Sequence, residues 1–192
     1  MKQLLLIGAG GHCKSCIDVI EQIGEWQIVG VIDRKDSGVD EVLGYPVIGC
    51  DDDLAELRKQ YDYAFVTVGQ IRSAELKIKL FNQIKLLGFK QPGLVSPLAY
   101  VSKHATIGEG TIVMHYAIIN ASAKVGDNCI INSKALIEHD AVIESHCHIS
   151  TGATINGGVR VGEQSFIGSH ATTEQTITIP PKSFIKAGTV VK

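Results

Sequence analysis

The spacing of hydrophobic residues changes near residue 92, and the two spacings predict two kinds of structure. Up to that point, apolar runs typical of buried strands (QLLLIG, QIVGVID and YAFVTVG) alternate with amphipathic segments typical of helices. The helices are predicted over residues 12–24, 51–61 and 73–89. Strand–helix alternation indicates a parallel sheet flanked by helices. We therefore expect a Rossmann-like α/β domain over residues 1–91 and a different domain over residues 92–192.

From Val95 onward, aliphatic residues recur at every sixth position. Of the 17 positions at this spacing between Val95 and Val191, 16 are Val or Ile, and a mostly small residue stands two positions before them. No helix or ordinary strand has a six-residue period, so the repeat predicts short strands joined by turns and stacked as a parallel β-helix. Thr173 is the exception, and we expect the segment ATTEQTITIPPKSF around it to form a protruding loop.

Composition excludes several classes of function. The net charge of −2 and the aromatic content of 6% give no basis for binding nucleic acid or an anionic membrane. The N-terminal apolar run LLLI is too short for a signal peptide or a membrane span. Five cysteines without a secretory context are expected to be reduced thiols, and together these features predict a cytoplasmic protein.

Two of these cysteines form a C-x-x-C pair, Cys13-Lys14-Ser15-Cys16, at the start of the first predicted helix. This spacing can belong to a redox motif, but no other thioredoxin feature accompanies it. The favoured interpretation is that both cysteines are small residues buried on the inner face of the helix.

The hexads carry a resemblance to a known family. Pairs such as Ile107-Gly108 and Val161-Gly162 resemble the hexads of hexapeptide-repeat transferases, which fold as left-handed parallel β-helices. The whole chain, from GAGGH through IINSKALIEHD to CHISTGATINGG, is similar to bacterial sugar acetyltransferases that act on nucleotide-linked amino sugars or on sialic acids. The resemblance implies coils of about 18 residues, acetyl-CoA as acyl donor, and a homotrimer with active sites between subunits.

A coil of this length places Gly157 over His139. A histidine on one coil and a bare backbone amide on the next would supply a general base and an oxyanion donor for acyl transfer. Asp140 could orient the imidazole. Because neighbouring residues on a strand point apart, contact between His139 and Asp140 requires a corner of the coil. The resemblance likewise implies that His139 is the base and Asp140 its acidic partner.

The resemblance also implies contacts with the acyl donor. It places His148 near the acetyl group and Asn132 beside the site, and it implies CoA contacts at Gly157, Gly168, Ser169 and Ala187. For Gly168, an equally good explanation is that glycine makes the coil turn. The sequence lacks the family's C-terminal Gly-x-Pro-Ala segment, so we expect the CoA contacts at that end to differ.

His146 has no counterpart in the family and is interpreted as a surface histidine. A zinc site formed by His139, His146 and His148 is an alternative, because imidazole is a good zinc ligand. No cysteine or carboxylate completes a recognisable ligand spacing, so we expect no metal.

The turn GAGGH follows a strand and opens a helix, which is the geometry of an anion site. Cys13 stands where the dinucleotide fingerprint has its third glycine, so an oxidoreductase remains only a remote alternative. The resemblance implies instead a pocket for a sugar nucleotide. Its implied phosphate ligands are Gly10, Gly11, His12 and Lys14, with Asp33 at the base or ribose and Gly69 in the wall, although Lys14 could also be a plain solvated charge.

Two departures from the family lie in this pocket. Arg34 stands where relatives often have a second acid, and Gln70 stands where they often have Asp or Asn. Both departures suggest an unusual nucleotide or acceptor sugar.

The sequence therefore predicts an acetyl-CoA-dependent enzyme that acetylates the amino group of a nucleotide-activated sugar in bacterial surface glycan biosynthesis. O-acetylation of a sialic acid-type sugar is the alternative within enzymes. A non-catalytic hexapeptide assembly protein is the alternative from another class.

Overall fold

The computed structural model describes all residues from 1 to 192, and they form two compact units. One unit comprises residues 1–69 and 75–92, and the other comprises residues 70–74 and 93–192. Residues 70–74, which the sequence analysis included in the α/β domain, are grouped with the second unit. These residues pack with the second unit because Gln70 is hydrogen-bonded to it, as described below.

The first unit is built around a five-stranded sheet, sheet 1, whose strands are β1 Lys2–Ile7, β2 Trp26–Ile32, β3 Glu41–Val42, β4 Tyr45–Gly49 and β5 Tyr63–Val66. They lie side by side in the order β3-β4-β2-β1-β5. Strands β1, β2, β4 and β5 run parallel, as predicted, whereas β3 and β4 form an antiparallel hairpin that the sequence analysis missed. The hairpin is short and contains Pro46, so it shows no clear alternation of apolar and polar residues. The helical elements of this unit are α1 Gly11–Ile23, a 3₁₀ turn Asp51–Asp53, α2 Leu54–Leu57 and α3 Glu75–Leu86.

The second unit is a parallel β-helix made of three sheets, which confirms the prediction from the six-residue period. Each strand pairs in parallel with the strand 18 residues away. Sheet 2 contains β6 Leu94–Val95, β9 Ile112–Val113, β12 Ile130–Ile131, β15 His148–Ile149, β18 Phe166–Ile167 and β21 Phe184–Ile185. Sheet 3 contains β7 Tyr100–Val101, β10 Ile118–Ile119, β13 Leu136–Ile137, β16 Thr154–Ile155, β19 Thr172–Thr173 and β22 Val190–Val191. Sheet 4 contains β8 Thr106–Ile107, β11 Lys124–Val125, β14 Val142–Ile143, β17 Arg160–Val161 and β20 Thr178–Ile179.

The core of the β-helix is the ladder of aliphatic residues at the second position of each strand. Ile119, Ile137 and Ile155 are fully buried in it, and the small residues between strands, such as Ala135 and Ala153, fill the corners. Burial of one such aliphatic side chain stabilises the fold by about 1.5–3 kcal/mol. This stack of identical inner residues explains why the sequence keeps its period so strictly.

A second ladder of period six lies at the corners, where one residue per turn has a positive φ. A left-handed conformation costs a residue other than glycine about 1–2 kcal/mol. The burial of one aliphatic side chain in each hexad stabilises the fold by more than this cost. The sequence analysis missed this ladder because its members share a backbone conformation and no side-chain chemistry. They are Gly110, Tyr116, Ser122, Asn128, Lys134, Asp140, His146, Gly152, Gly158, Gln164, His170, Thr176, Lys182 and Gly188.

The prediction of a protruding loop over residues 171–184 is wrong, because β19, β20 and β21 continue the three sheets without interruption. Thr173 faces inward and is buried, and its hydroxyl accepts a hydrogen bond from the Asn156 backbone at 2.9 Å. Pro181 is tolerated because the equivalent N–H groups of Asp127 and Glu163 bond to side chains and not to the ladder.

Cys13 and Cys16 lie on α1 with no exposed surface, which confirms that they are packing residues. Burial raises the pKa of both thiols, the opposite of what a redox-active cysteine requires. The helices of this chain also lack the length and apolar character needed to cross a membrane.

Candidate active site

His139 and Asp140 meet at a corner of the β-helix, immediately after strand β13. Asp140 has a φ of 61°, and this left-handed turn brings two neighbouring side chains to the same side of the chain. Asp140 Oδ2 lies 2.8 Å from His139 Nδ1. Because an ionised carboxylate can only accept, the proton sits on Nδ1, and Nε2 presents a lone pair to the exterior. This is the form of imidazole that can accept a proton.

Gly157 lies against the imidazole of His139. A Cβ atom at Gly157 would stand 2.8 Å from His139 Cε1 and 2.9 Å from Nε2. At Gly162 and Gly168, by contrast, an added Cβ would collide with the backbone of the next coil. The need for glycine at position 157 therefore comes from the histidine side chain alone. Gly157 N–H makes no hydrogen bond within the chain and is available to an acceptor.

The electrostatics of the corner favour a basic His139. Its hydrogen bond to Asp140 raises the pKa of His139 above the ordinary value, and the nearby Glu138 carboxylate adds to this effect. The His139 side chain is 62% exposed, so a substrate can reach it without any rearrangement of the corner.

Glu138 is a site residue that the sequence analysis missed. Its carboxylate accepts hydrogen bonds from the His139 backbone N–H at 3.2 Å and from Asn120 Nδ2 at 2.9 Å. Asn120 lies one coil away at the equivalent corner position. The 18-residue spacing between Asn120 and Glu138 is the sequence signal that could have identified the pair.

Gly168, Ser169 and Ala187 lie at a different corner, which follows sheet 2. At Gly168, an added Cβ would lie 2.5 Å from the backbone nitrogen of Ala187, so stacking of the coils explains this glycine. Ser169 is half-buried, and its hydroxyl lies 3.0 Å from that of Ser150. Asn132 occupies the equivalent corner two coils earlier, and sheet 3 connects this corner with that of His139.

His148 lies on strand β15 and is 7% exposed. Its Nδ1 is 2.5 Å from the backbone oxygen of Gln70, and its Nε2 is 3.2 Å from Asn132 Nδ2. The structure therefore brings His148 and Asn132 together, and both ring nitrogens of His148 are engaged by the protein.

The interpretation of His146 as a surface histidine is wrong. His146 is half-buried at a corner, with Nδ1 3.0 Å from Asn128 Nδ2, and its backbone oxygen accepts from Gln70 Nε2 at 2.9 Å. Nowhere in the chain do three His, Cys, Asp or Glu side chains gather into a possible metal site. His139 and His146 belong to different corners of the coil.

In the first unit, β1 lies between β2 and β5, so the strand order changes direction at β1. Ligands of open α/β sheets bind outside the carboxyl ends of the strands at such a point. Gly10 and Gly11 follow β1, are exposed, and have open space where a Cβ would be. The helix α1 begins at Gly11 without a side-chain cap, and Lys14 is exposed on its first turn.

The other predicted pocket residues follow the neighbouring strands. Asp33 follows β2, is half-buried, and lies close enough to Cys13 to contribute to the raised pKa of that thiol. Asp33 and Arg34 line a groove of about 360 Å³. Gly69 follows β5, and an added Cβ there would lie 3.4 Å from His12 Cβ. The anion turn, Asp33 and Gly69 therefore share one edge of the sheet.

Comparison with known proteins identifies both halves of the chain. Residues 3–84 match the family described as the PglD N-terminal domain, and residues 104–139 match the bacterial transferase hexapeptide family of six repeats. No curated protein is significantly similar to this sequence.

Solved structures of sugar acetyltransferases match over the full length of this chain. The acetyltransferase domain of PglB from Neisseria gonorrhoeae is 32% identical with a TM-score of 0.91, and the match covers 100% of this chain and 92% of that one. A variant of perosamine N-acetyltransferase from Caulobacter crescentus, in complex with CoA and GDP-perosamine, is 33% identical with a TM-score of 0.93. That match covers 100% of this chain and 89% of the other.

Proposed function

Because this chain belongs to the hexapeptide-repeat sugar acetyltransferases, it is an acyltransferase that uses acetyl-CoA, and we propose how its residues acetylate the amino group of a nucleotide-activated sugar. Its fold is the left-handed parallel β-helix of that family, preceded by an α/β domain. The acetylated sugar serves bacterial surface glycan biosynthesis. The contact between His139 and Gly157 is the single observation that carries the mechanism.

The sugar nucleotide binds at the carboxyl edge of the α/β sheet. Its phosphates accept hydrogen bonds from Gly11 and His12 N–H at the positive end of α1, and Lys14 adds a neutralising charge. Asp33 accepts from the ribose or the base, and Gly69 leaves room in the pocket wall. Perosamine N-acetyltransferase from Caulobacter crescentus, a relative 33% identical, is in complex with GDP-perosamine, a ligand of this chemical class.

His139 acts as the general base. A sugar amine is protonated near neutral pH and becomes a nucleophile only after it loses a proton. His139 Nε2 takes this proton, and the nitrogen attacks the thioester carbon of acetyl-CoA. Asp140, hydrogen-bonded to Nδ1, stabilises the imidazolium that results. Since a thioester is already activated, the transfer needs no covalent enzyme intermediate.

Gly157 stabilises the tetrahedral intermediate. Its N–H has no partner in the chain and lies beside the imidazole, so it can donate to the oxyanion that forms when the nitrogen–carbon bond is made. Collapse of the intermediate breaks the carbon–sulfur bond. The nitrogen gives up its second proton to the departing CoA thiolate, and His139 releases the first proton to solvent, which returns the enzyme to its starting state.

The acyl donor lies along the corner that contains Asn132, Gly168, Ser169 and Ala187, with His148 close to its acetyl end. Support comes from the two side chains that face each other there, Asn132 and His148, and from relatives that hold CoA or acetyl coenzyme A. Gly168 contacts the donor through its backbone. The absence of a side chain at this position leaves no space for a ligand, because the next coil already occupies it.

The enzyme assembles as a homotrimer through sheet 3 and works in the cytoplasm. Tyr100, Ile118 and Leu136 stack on the outer face of this sheet, and the first two are 59% and 40% exposed. The equivalent outer positions of sheet 4 include Lys124 and Arg160 and suit solvent. An apolar stripe of this kind suits a second copy of the chain. All five cysteines are free, as expected in a reducing compartment.

Replacement of His139 by Asn tests this mechanism. We expect His139→Asn to lower kcat by at least about 100-fold, because general-base catalysis typically contributes a factor of this size. Oligomeric state and CoA affinity should stay unchanged, since the side chain is exposed and packs only at its corner. A variant that retains near-normal turnover would show that another group removes the proton.

A further inference from the structure

Gln70 is a buried residue whose role the proposed mechanism does not use. Its side chain is 2% exposed, and it belongs to the short segment, residues 70–74, that packs with the β-helix. The suggestion that this residue marks an unusual nucleotide or acceptor sugar stays a prediction, and the side chain itself is turned into the β-helix. The question is what a buried amide does at this position.

The orientation of the Gln70 amide is fixed by what surrounds it. One end faces two backbone oxygens, that of His146 at 2.9 Å and that of Gln164 at 3.5 Å. Backbone oxygens only accept, so this end must be the Nε2 donor. Oε1 has no partner in the chain, and Gln70 lines a cavity of about 20 Å³, which has room for one water molecule. The side chain thus anchors residue 70 to two successive coils.

This anchoring places the Gln70 backbone oxygen 2.5 Å from His148 Nδ1. Since the oxygen can only accept, Nδ1 must carry a hydrogen. The other side of the ring is determined in the same way. Asn132 Oδ1 accepts from Ser133 N–H at 2.8 Å, which leaves Nδ2 to donate to His148 Nε2 at 3.2 Å. Nε2 is then an acceptor, and the imidazole is neutral.

We infer that Gln70 is a positioning residue: it locks His148 in the neutral Nδ1–H form, and His148 in turn holds the Asn132 amide at the acyl-donor corner. The second half of this inference rests on the proposed function. To become charged, His148 would have to give up its bond to Asn132. It is 7% exposed and packs edge-to-face with Phe166, with the ring centroids 5.2 Å apart. The two histidines therefore divide the work. Exposed His139 exchanges protons, whereas buried His148 keeps one tautomer and orients its neighbour.

The direct test is the ¹⁵N spectrum of histidine-labelled protein, with the His148 signals assigned by their loss in a His148→Gln variant. Wild-type protein should show one neutral Nδ1–H tautomer for His148. In Gln70→Met, which keeps the length of the side chain but cannot donate, the two tautomers should mix. The kcat/KM for acetyl-CoA should fall about five- to tenfold, the loss of one hydrogen bond of about 1 kcal/mol.

Gln91→Met is the matched control. Gln91 is also buried, at 6% exposure, and its Nε2 donates to the backbone oxygen of Phe81 at 3.0 Å while its Oε1 has no partner. It belongs to the α/β unit. Gln91→Met should lose a similar amount of stability, yet leave the His148 tautomer and kcat/KM for acetyl-CoA unchanged.

A charged or Nε2–H His148 in the wild type would overturn the inference, and so would a Gln70→Met variant with an unchanged spectrum and unchanged kinetics. If Gln70→Met does not fold, the wild-type spectrum alone decides, because the bond directions require one tautomer. The spectrum does not depend on turnover. If His148 has the Nδ1–H tautomer but the protein has no acetyltransferase activity, the proposed function is refuted. The positioning of His148 by Gln70 would still stand.

Discussion

At the residue scale, the site depends on the conformation of one amino acid. Asp140 has a positive φ, and this lets its carboxylate reach the ring of the preceding histidine. Aspartate tolerates the left-handed region better than most residues because its short side chain can hydrogen-bond locally. The β-helix needs this corner for its own geometry. The same corner orients the imidazole of His139 and raises its pKa through the hydrogen bond to Asp140.

The pH dependence of the Asp140→Asn variant tests this link. The base must be neutral, so kcat/KM should rise with pH through the pKa of His139, which the Asp140 carboxylate raises. Removal of the carboxylate lowers that pKa toward the ordinary value of about 6.5. The acidic limb of the pH profile should therefore move to lower pH, while the activity at the plateau falls about tenfold or more because the imidazolium is less stabilised.

The matched control for this prediction is Asp127→Asn, whose carboxylate accepts from a backbone N–H of another corner. Its pH profile should coincide with that of the wild type. An acidic limb that stays in place in Asp140→Asn would mean that a group other than His139 governs it.

Residue identities were the most predictable part of the site. The stacking of Gly157 on His139 follows from counting 18 residues along the chain, and the structure brings the two together. The contact between His139 and Asp140 could only be stated as a condition, because it depends on where the corner falls. The bonds of Gln70 could not be predicted, because they join residues 76 and 78 positions apart that no repeat relates.

At the element scale, the hexad is the unit that determines the structure. Outside residues 171–184, a Val or Ile at the inner position was enough to predict the strands from Val95 to Val191, and the structure places strands there. The period also shows which glycines are structural. At positions such as Gly126 and Gly162, an added Cβ would collide with the next coil, so these glycines carry no information about a ligand.

The wrong prediction at residues 171–184 shows the limit of the pattern. Threonine has the branched shape of valine, so Thr173 can fill the inner position provided that its hydroxyl is satisfied. The donor that satisfies it is the backbone of Asn156, immediately before Gly157. The residue that breaks the hexad therefore fixes the corner that faces His139, a function that sequence periodicity alone does not reveal.

At the scale of the whole molecule, the proposed trimer makes a prediction about one face of the β-helix. Ile118→Glu places a charge between Tyr100 and Leu136 on the outer face of sheet 3. An unpaired charge in a buried interface is costly, so the trimer should dissociate in sedimentation equilibrium, with a large loss of acetyl transfer. Val142→Glu is the control, because it lies on sheet 4 between Lys124 and Arg160, and it should remain trimeric and active.

A wild-type chain that sediments as a monomer, or an Ile118→Glu variant that stays trimeric, would contradict the assignment of sheet 3. In either case the contacts of His139 with Asp140 and Gly157 would remain, because they lie within one chain.

The most direct test of the whole account is to identify the acetylated product. The purified protein is incubated with acetyl-CoA and with a panel of nucleotide-linked amino sugars and sialic acids, and the products are analysed by mass spectrometry and NMR. We predict that acetyl-CoA is consumed with a nucleotide-linked amino sugar and that the new acetyl group is on nitrogen. Acetylation confined to hydroxyl groups of sialic acids, or no consumption with any acceptor, would contradict the account.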